Sequence, residues 1–128
     1  MSGGAGPRRV GSEWERRVRD HFRARGFDAE RAYGAGRADD VGDLVVGAWV
    51  ALLVECKAAA RSERARWIDE AREKVSRWRS GAIPLVVEKR RRKPVGSAYV
   101  TLDLDGFLDL IDRIAHKIAD LDERDLSA

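Results

Sequence analysis

The stretch VALLVECKAAA, from Val50 to Ala60, decides the fold of this chain. Its apolar run predicts a buried strand over residues 49–57. Residues two apart in a strand share a face, so Glu55 and Lys57 point the same way, while Cys56 points to the opposite face and into the core. A core strand that ends in a carboxylate and an ammonium group suggests a functional site, although isolated pairs of this kind are more often weak salt bridges at the rim of a sheet.

The patterns on either side predict an α/β fold, in which helices flank a mixed central β-sheet. Apolar Trp14, Val18 and Phe22 recur at i, i+4 and i+8 and predict a first helix over 12–25, which Gly26 ends. The other predicted elements are strands at 27–32, 44–46, 83–88 and 98–103 and helices at 62–79 and 105–121. We expect a single domain over 11–122, between a flexible segment at 1–10 and a tail at 123–128.

Composition narrows the class of protein. Of the 128 residues, 37% are charged and 44% are hydrophobic, which is typical of a soluble globular chain, and no apolar run approaches the ~20 residues that span a bilayer. The start of the chain has no apolar stretch behind its positive charges, so no secretory signal is expected. The single cysteine permits neither an internal disulfide nor a cysteine-based zinc site, and we expect a reducing, cytoplasmic setting in a bacterial, archaeal or phage-infected cell.

Asp43 opens the strand before Glu55, and the register of the hairpin decides whether the two acids meet. A two-residue loop would pair Asp43 with Leu52 and place Glu55 on the other face of the sheet, and we expect the same of a five-residue loop from Gly47 to Ala51. A three-residue loop that begins at Gly47 would pair Asp43 with Leu53, a diagonal neighbour of Glu55 at roughly 7–8 Å. We predict a register that puts Asp43 on the Glu55 face; the alternative is that Asp43 is only a turn or cap residue.

Two carboxylates on adjacent strands suit Mg²⁺, which binds oxygen ligands and keeps several waters. The backbone carbonyl of Cys56 lies between the side chains of Glu55 and Lys57 and could supply a third oxygen. Lys57 then lies where it could orient a water or neutralise a phosphate, as hydrolysis of a phosphodiester requires. The sequence therefore predicts a site for Mg²⁺, with Mn²⁺ as a substitute, that includes Asp43 and Glu55.

The order of these residues resembles the motif of the PD-(D/E)xK nuclease superfamily. Asp43 is followed, after an apolar strand, by Glu55-x-Lys57, and Gly42 stands where proline is typical of the family. The resemblance implies a restriction-endonuclease-like fold and a metal-dependent endodeoxyribonuclease in which Asp43, Glu55 and Lys57 are catalytic.

The start of the chain is similar to the archaeal-type Holliday junction resolvases within that superfamily. Those enzymes carry a Gly-x-x-x-Glu-Arg element on the first helix, which reads GSEWER here, and an Arg-Ala step before the Gly-rich loop, here at Arg31. The similarity covers residues 11–111. It implies a symmetric homodimer whose two active sites each nick one strand of a four-way (Holliday) DNA junction, in DNA recombination or repair.

Glu15, within the GSEWER element, has two readings. The resemblance implies a third catalytic acid that contacts the metal directly or through water. Ser12 and Glu15 also match the S-x-x-E capping box, in which case Glu15 would only cap the first helix. On a helical wheel Glu15 lies roughly 65° from the centre of the apolar stripe, close enough to edge toward the sheet.

Cations follow the fourth strand in an unbroken run from Lys89 to Lys93. We expect salt-dependent phosphate contacts from this run, the alternative being a solvated hairpin tip. The chain has no Asn and no Gln, the side chains that best read adenine, so we expect it to read the backbone and shape of DNA. The candidate DNA-binding residues are Arg31, Arg37, Lys89, Arg90, Arg91, Arg92 and Lys93.

Two other functions stay open. One is a restriction-like or repair endonuclease of the same fold that acts on duplex or flapped DNA. The other is a DNA-binding module without catalysis, against which the intact set of Asp43, Glu55 and Lys57 argues.

Overall fold

The computed structural model describes residues 5–32, 43–47 and 50–127, with side chains over 10–32, 43–47 and 50–125. Its three helices separate two groups of strands, of three and of two, along the part of the chain that is described. In chain order they are α1 (Ala5–Ala24), β1 (Asp28–Arg31), β2 (Leu44–Gly47), β3 (Leu52–Lys57), α2 (Arg64–Trp78), β4 (Ile83–Glu88), β5 (Tyr99–Thr101) and α3 (Leu104–Ser127), with a short 3₁₀ turn at Val95–Ser97 before β5.

The five strands form one sheet in the order β1-β2-β3-β4-β5. β3 and β4 pair in parallel, and the other neighbours pair antiparallel. The parallel pair needs a long crossover connection, and α2 supplies it. This confirms the predicted class, a mixed central sheet flanked by helices.

Each face of the sheet is covered by a helix. Trp14 and Val18 of α1 pack with Val54 and Val87 on one face, and the Trp14 indole Nε1 donates to the Val87 carbonyl at 3.1 Å. On the other face, α2 packs against the central strand β4 through Trp67, Ile68, Ala71 and Val86. The central strands are therefore buried on both sides, as parallel pairs usually are.

The first helix begins at Ala5, seven residues before the predicted start at Ser12. Pro7 falls in its first turn, where backbone N–H groups have no partner within the helix, so proline costs no hydrogen bond there. Residues 5–10, which were expected to precede the helix, belong to it. Ser12 lies inside the helix, so the capping reading of Glu15 is wrong.

The last strand and helix also differ from their predicted bounds. β5 ends at Thr101 rather than at Asp103, because Asp103 caps α3 instead: its Oδ1 accepts from the Gly106 N–H at 2.8 Å. α3 runs to Ser127, beyond the predicted end at Leu121, because no glycine or proline interrupts the intervening residues.

The register between β2 and β3 differs from the predicted one by two residues. Val46 pairs with Leu52 and Leu44 with Val54, whereas the three-residue loop would have paired Asp43 with Leu53. Val46 and Leu52 flank residues 47–51, and this spacing, continued by one residue, would align Asp43 with Glu55, so the expectation that a five-residue loop would separate the two acids is wrong. A shift by two keeps every side chain of β2 on its face. Because β2 begins at Leu44, the face of Asp43 itself stays a prediction.

None of the helices in the described ranges is long and apolar enough to span a membrane.

The cap at Asp103 predicts a pH-dependent contribution to stability. Asp103 also bonds Arg72, through Arg72 Nε and Asp103 Oδ2 at 3.0 Å, and this bond and the Gly106 N–H lower the pKa of the Asp103 carboxyl. We expect Asp103→Ala to reduce the free energy of unfolding by about 0.5–2 kcal/mol at pH 7. Asp103→Asn, which keeps an acceptor for the cap, should lose less.

Because the folded pKa of Asp103 is lowered, the charge contribution is present above about pH 4 and is lost as the pH falls through the lowered value. Urea unfolding from pH 7 downward should therefore show the difference between wild type and Asp103→Asn shrinking in acid. A difference that stays constant with pH would contradict this origin of the stabilisation.

Candidate functional site

Glu55 lies near the end of β3, where β3 and β4 run in parallel and finish at the same edge of the sheet. Its side chain is only 1% exposed. On the α2 side of the sheet, Lys74 Nζ donates to Glu55 Oε1 at 2.7 Å, and the Lys74 side chain is itself 14% exposed. A carboxylate is costly to bury without a nearby cation, so this ion pair lets an acid occupy the core end of the strand.

Lys57 follows Glu55 on the same face. Its Nζ lies 5.9 Å from the centroid of the Trp67 ring, at the outer limit of a cation–π contact. Its backbone carbonyl accepts from the Lys89 N–H at 2.8 Å, which joins the end of β3 to the first residue of the basic run.

Asp43 is held across from this pair by the backbone. The Cys56 N–H donates to Asp43 Oδ2 at 2.6 Å, and the Asp43 carbonyl accepts from the Ala32 N–H at 3.0 Å. Together these bonds hold Asp43 at the start of β2, where its carboxylate lies beside the end of β3 and the backbone of the Glu55-x-Lys57 motif.

Glu15 approaches the same region from α1. Its side chain is 16% exposed, and Arg31 Nε lies 3.0 Å from its Oε1. Burial and then the nearby charge of Asp43 raise the pKa of the Glu15 carboxyl, and Arg31 only partly offsets them. The Glu15 and Asp43 carboxylates are therefore close enough for the charge of Asp43 to disfavour that of Glu15.

Cys56 does not supply a nucleophile. Its side chain packs against the core cluster beneath α1, and burial followed by the charges of Asp43, Glu15 and Glu55 raises the pKa of the thiol far above its ordinary value. The thiol therefore stays protonated. The charges of these three carboxylates therefore reach Cys56, with Glu55 held on the α2 side of the sheet by Lys74 and Glu15 approaching from α1.

The three acids fit a hard cation by their chemistry. Glu15, Asp43 and Glu55 offer only oxygen donors, they are partly or fully desolvated, and a cation would relieve the repulsion that raises the pKa of Glu15. Across residues 5–32, 43–47 and 50–127, however, no three acidic, histidine or cysteine side chains stand in ligating positions. Glu55 is held by Lys74 and Glu15 by Arg31, so the metal ligands stay a prediction.

The basic run lies at the same edge of the sheet, directly after β4. Arg90 is half-buried, with its guanidinium carbon 4.6 Å from the centroid of the Tyr99 ring. Arg64 lies 4.8 Å from the same centroid and bonds Glu88 through Nε and Oε1 at 2.7 Å. The exposed cations of the run are Arg91, Arg92 and Lys93.

Two of the predicted DNA-binding residues, Arg31 and Arg37, lie outside the basic run. Arg31 is 59% exposed and lines a small cavity of about 80 Å³ with Glu15 and Arg16. Arg37 lies outside the described residues.

Lys74, Arg64 and Tyr99 were not among the predicted site residues. Lys74 lies seven residues after Trp67 and three after Ala71, on the buried face of α2, so a lysine in an apolar helical stripe was a usable signal. Tyr99 had no comparable signal, because its contacts with Arg64 and Arg90 depend on how α2 and β5 pack.

Comparisons with known proteins give one finding for this chain. No family model matches it, and no curated protein is found to be similar. Among solved structures, it is similar to the 1.6 Å structure of Hjc from Archaeoglobus fulgidus, a Holliday junction resolvase from an archaeal hyperthermophile. The identity is 21% over 71% of this chain and 85% of the other, with a TM-score of 0.49. The likeness is to the family that the motifs resemble, but at these values it carries no argument about activity.

The buried pair of Glu55 and Lys74 predicts a strong coupling in stability. Lys74→Met removes the cation from a carboxylate that is 1% exposed, so we expect a loss of up to about 3–5 kcal/mol in the free energy of unfolding. The double variant Lys74→Met/Glu55→Gln should recover much of it, because no buried charge is then left. Chemical denaturation measures both, with Arg77→Ala, in an exposed pair with Glu73, as a control that changes little. Additive losses in the double variant would contradict the coupling.

Proposed function

We propose that this chain is an Mg²⁺-dependent endodeoxyribonuclease that hydrolyses phosphodiesters in four-way DNA junctions, acting as a homodimer that makes paired nicks. The observation that carries the proposal is the meeting of three features at one edge of the sheet. They are the pair Glu55 and Lys57, the acids Asp43 and Glu15 on the neighbouring elements, and the cations that follow β4. The preference for a junction and the homodimer come from the motif resemblance.

The residues that would hold the metal are Asp43, Glu55 and the Cys56 carbonyl, with Glu15 directly or through water. When bound there, Mg²⁺ or its substitute Mn²⁺ would supply positive charge that polarises a phosphodiester and makes water a better nucleophile. Oxygen-only donors suit both ions.

Lys57 and Lys74 take different roles in this proposal. Lys57 follows the acids on the same face beside Trp67, where its ammonium could neutralise a phosphate or orient the attacking water. Lys74 is a positioning residue, since it contacts Glu55 rather than substrate and fixes which way that carboxylate points.

The exposed cations after β4 would bind the phosphates that flank the scissile bond. Arg91, Arg92 and Lys93 are exposed, and Lys89 is bonded to the last residue of β3, so a strand bound by the run passes the site. Such contacts position DNA without reading its sequence.

Cleavage of a synthetic four-way junction beside its matched linear duplex tests the proposal. With Mg²⁺ the wild type should nick the junction in pairs and leave the duplex intact, and EDTA should stop it. Glu55→Gln, Asp43→Asn and Lys57→Ala should each lower the rate by at least about 100-fold and retain binding. Glu73→Gln, an exposed acid on α2, is the matched control and should cut normally.

Equal cutting of both substrates would leave a nuclease and remove the junction specificity, in favour of a restriction-like or repair enzyme. Binding without cutting by the wild type would support the non-catalytic module. Normal cutting by the Glu55, Asp43 and Lys57 variants would show that the site is elsewhere.

The basic run predicts a salt-dependent affinity. Arg91→Ala/Lys93→Ala should weaken binding to every DNA sequence and reduce the slope of log affinity against log salt by roughly 2, at about 0.9 per phosphate contact. The matched control is Arg77→Ala/Arg79→Ala, which removes two exposed arginines near the other end of β4. Fluorescence anisotropy over a salt series gives both slopes. An unchanged slope in the first variant would show that the basic run does not contact phosphates and is solvated surface.

A further inference from the structure

The last helix carries an apolar stripe that nothing in the proposed active site uses. Its spacing alternates between three and four residues, the 3.5-residue period of a coiled-coil seam rather than the 3.6 of a straight helix. We call these six residues the α3 seam: Leu104, Phe107, Ile111, Ile114, Ile118 and Leu121.

The α3 seam is exposed. Its side chains range from 37% exposed at Leu121 to 71% at Leu104. α3 meets its own sheet through the adjoining side, where Gly106 is buried. One edge of the seam reaches that side, because Ile114 and Leu110 line an apolar cavity of about 400 Å³ together with Phe27. No element of the described chain covers the rest of the seam, and an apolar face of this length indicates an interaction surface.

We propose that the α3 seam pairs in parallel with the same seam of a second copy of this chain. The pattern is self-complementary, because a two-fold axis sets each seam position against its equivalent in the partner. The a positions hold Leu104, Ile111 and Ile118, and the d positions hold Phe107, Ile114 and Leu121. Isoleucine at a with leucine at d, the combination that favours two parallel strands, occurs at Ile118 and Leu121. The proposal deepens the homodimer of the proposed function, on which it rests for what the paired active sites do together.

Charge supports the parallel direction. Lys117 and Asp122 flank the seam at g and e positions five residues apart, so parallel pairing sets Lys117 opposite the partner's Asp122. Antiparallel pairing of the same six residues would set Lys117 against the partner's Leu110 and lose the ion pair. Lys117 is half-buried and Asp122 is exposed, so a pair between them adds little affinity but selects orientation.

The helix is already formed and fixed before any pairing. Asp103 caps it, Arg72 holds that cap, and Arg113 donates through Nη1 to the Gly81 carbonyl. Association would therefore not have to order α3, which removes a cost that isolated coiled-coil helices of this length must meet.

Sedimentation of the full chain tests the pairing without any nuclease assay. The wild type should be a dimer, and Ile111→Asp/Ile118→Asp should raise the dissociation constant at least about 100-fold, because pairing would bury two charges per helix. The matched control is His116→Asp/Ala119→Asp, which places the same residues on an exposed side of α3 away from the seam and should stay dimeric. Circular dichroism checks that each variant keeps its helices.

Two further variants test the orientation. Leu121→Cys should form a disulfide between copies on mild oxidation, since only parallel pairing brings the two equivalent positions together. Lys117→Asp should weaken the dimer and Lys117→Asp/Asp122→Lys should restore it.

A monomeric wild type, or a seam variant that stays dimeric, would overturn the proposal, and so would a failure of Leu121→Cys to cross-link. These outcomes are separate from those of the proposed function. A dimer that does not cut DNA would contradict the nuclease proposal and support the pairing of the α3 seam. A monomer that cuts DNA would support nuclease activity and contradict the pairing.

Discussion

The parallel pairing of β3 with β4 is the constraint on which the rest of the structure depends. Two parallel neighbours cannot be joined by a tight turn, so the chain must cross over the sheet, and α2 is that crossover. The crossover carries Trp67 and Lys74 to the face that bears Glu55 and Lys57. Because both strands finish at one edge, the cations after β4 arrive beside the acids at the end of β3.

The acidic side chains at this edge of the sheet are each held by a positively charged side chain or by a backbone N–H group. Glu55 is buried and held by Lys74, Glu15 is held by Arg31, and the Asp43 carboxylate receives a backbone N–H. The acids are close enough for their charges to raise the pKa of Glu15 and of the Cys56 thiol. The proposed function assigns a small hard cation to these acids and a polyanion to the exposed arginines that follow β4.

Much of this arrangement follows from local patterns. The run of cations after β4 is read directly from the sequence, and the buried strand that ends in Glu55 and Lys57 was predicted from strand periodicity. The register of the β2–β3 hairpin was not, because a shift by two residues preserves every face and leaves no trace in the pattern. The capping reading of Glu15 failed because the S-x-x-E pattern can also occur inside a helix, and α1 begins seven residues before Ser12, at Ala5.

The sequence by itself determined the α/β class, the acids of the site and the apolar period of α3, since each depends on residues near one another in the chain. Only the tertiary structure decided the partners of those residues. Lys74 contacts Glu55, and Tyr99 contacts Arg64 and Arg90, across separations of 9 to 35 positions in the sequence. Asp103 lies between β5 and α3, and only the folded structure shows that it caps the helix rather than extending the strand. The apolar period of α3 could be read from the local sequence. Whether those apolar side chains are exposed could not, because it depends on how α3 packs against the sheet.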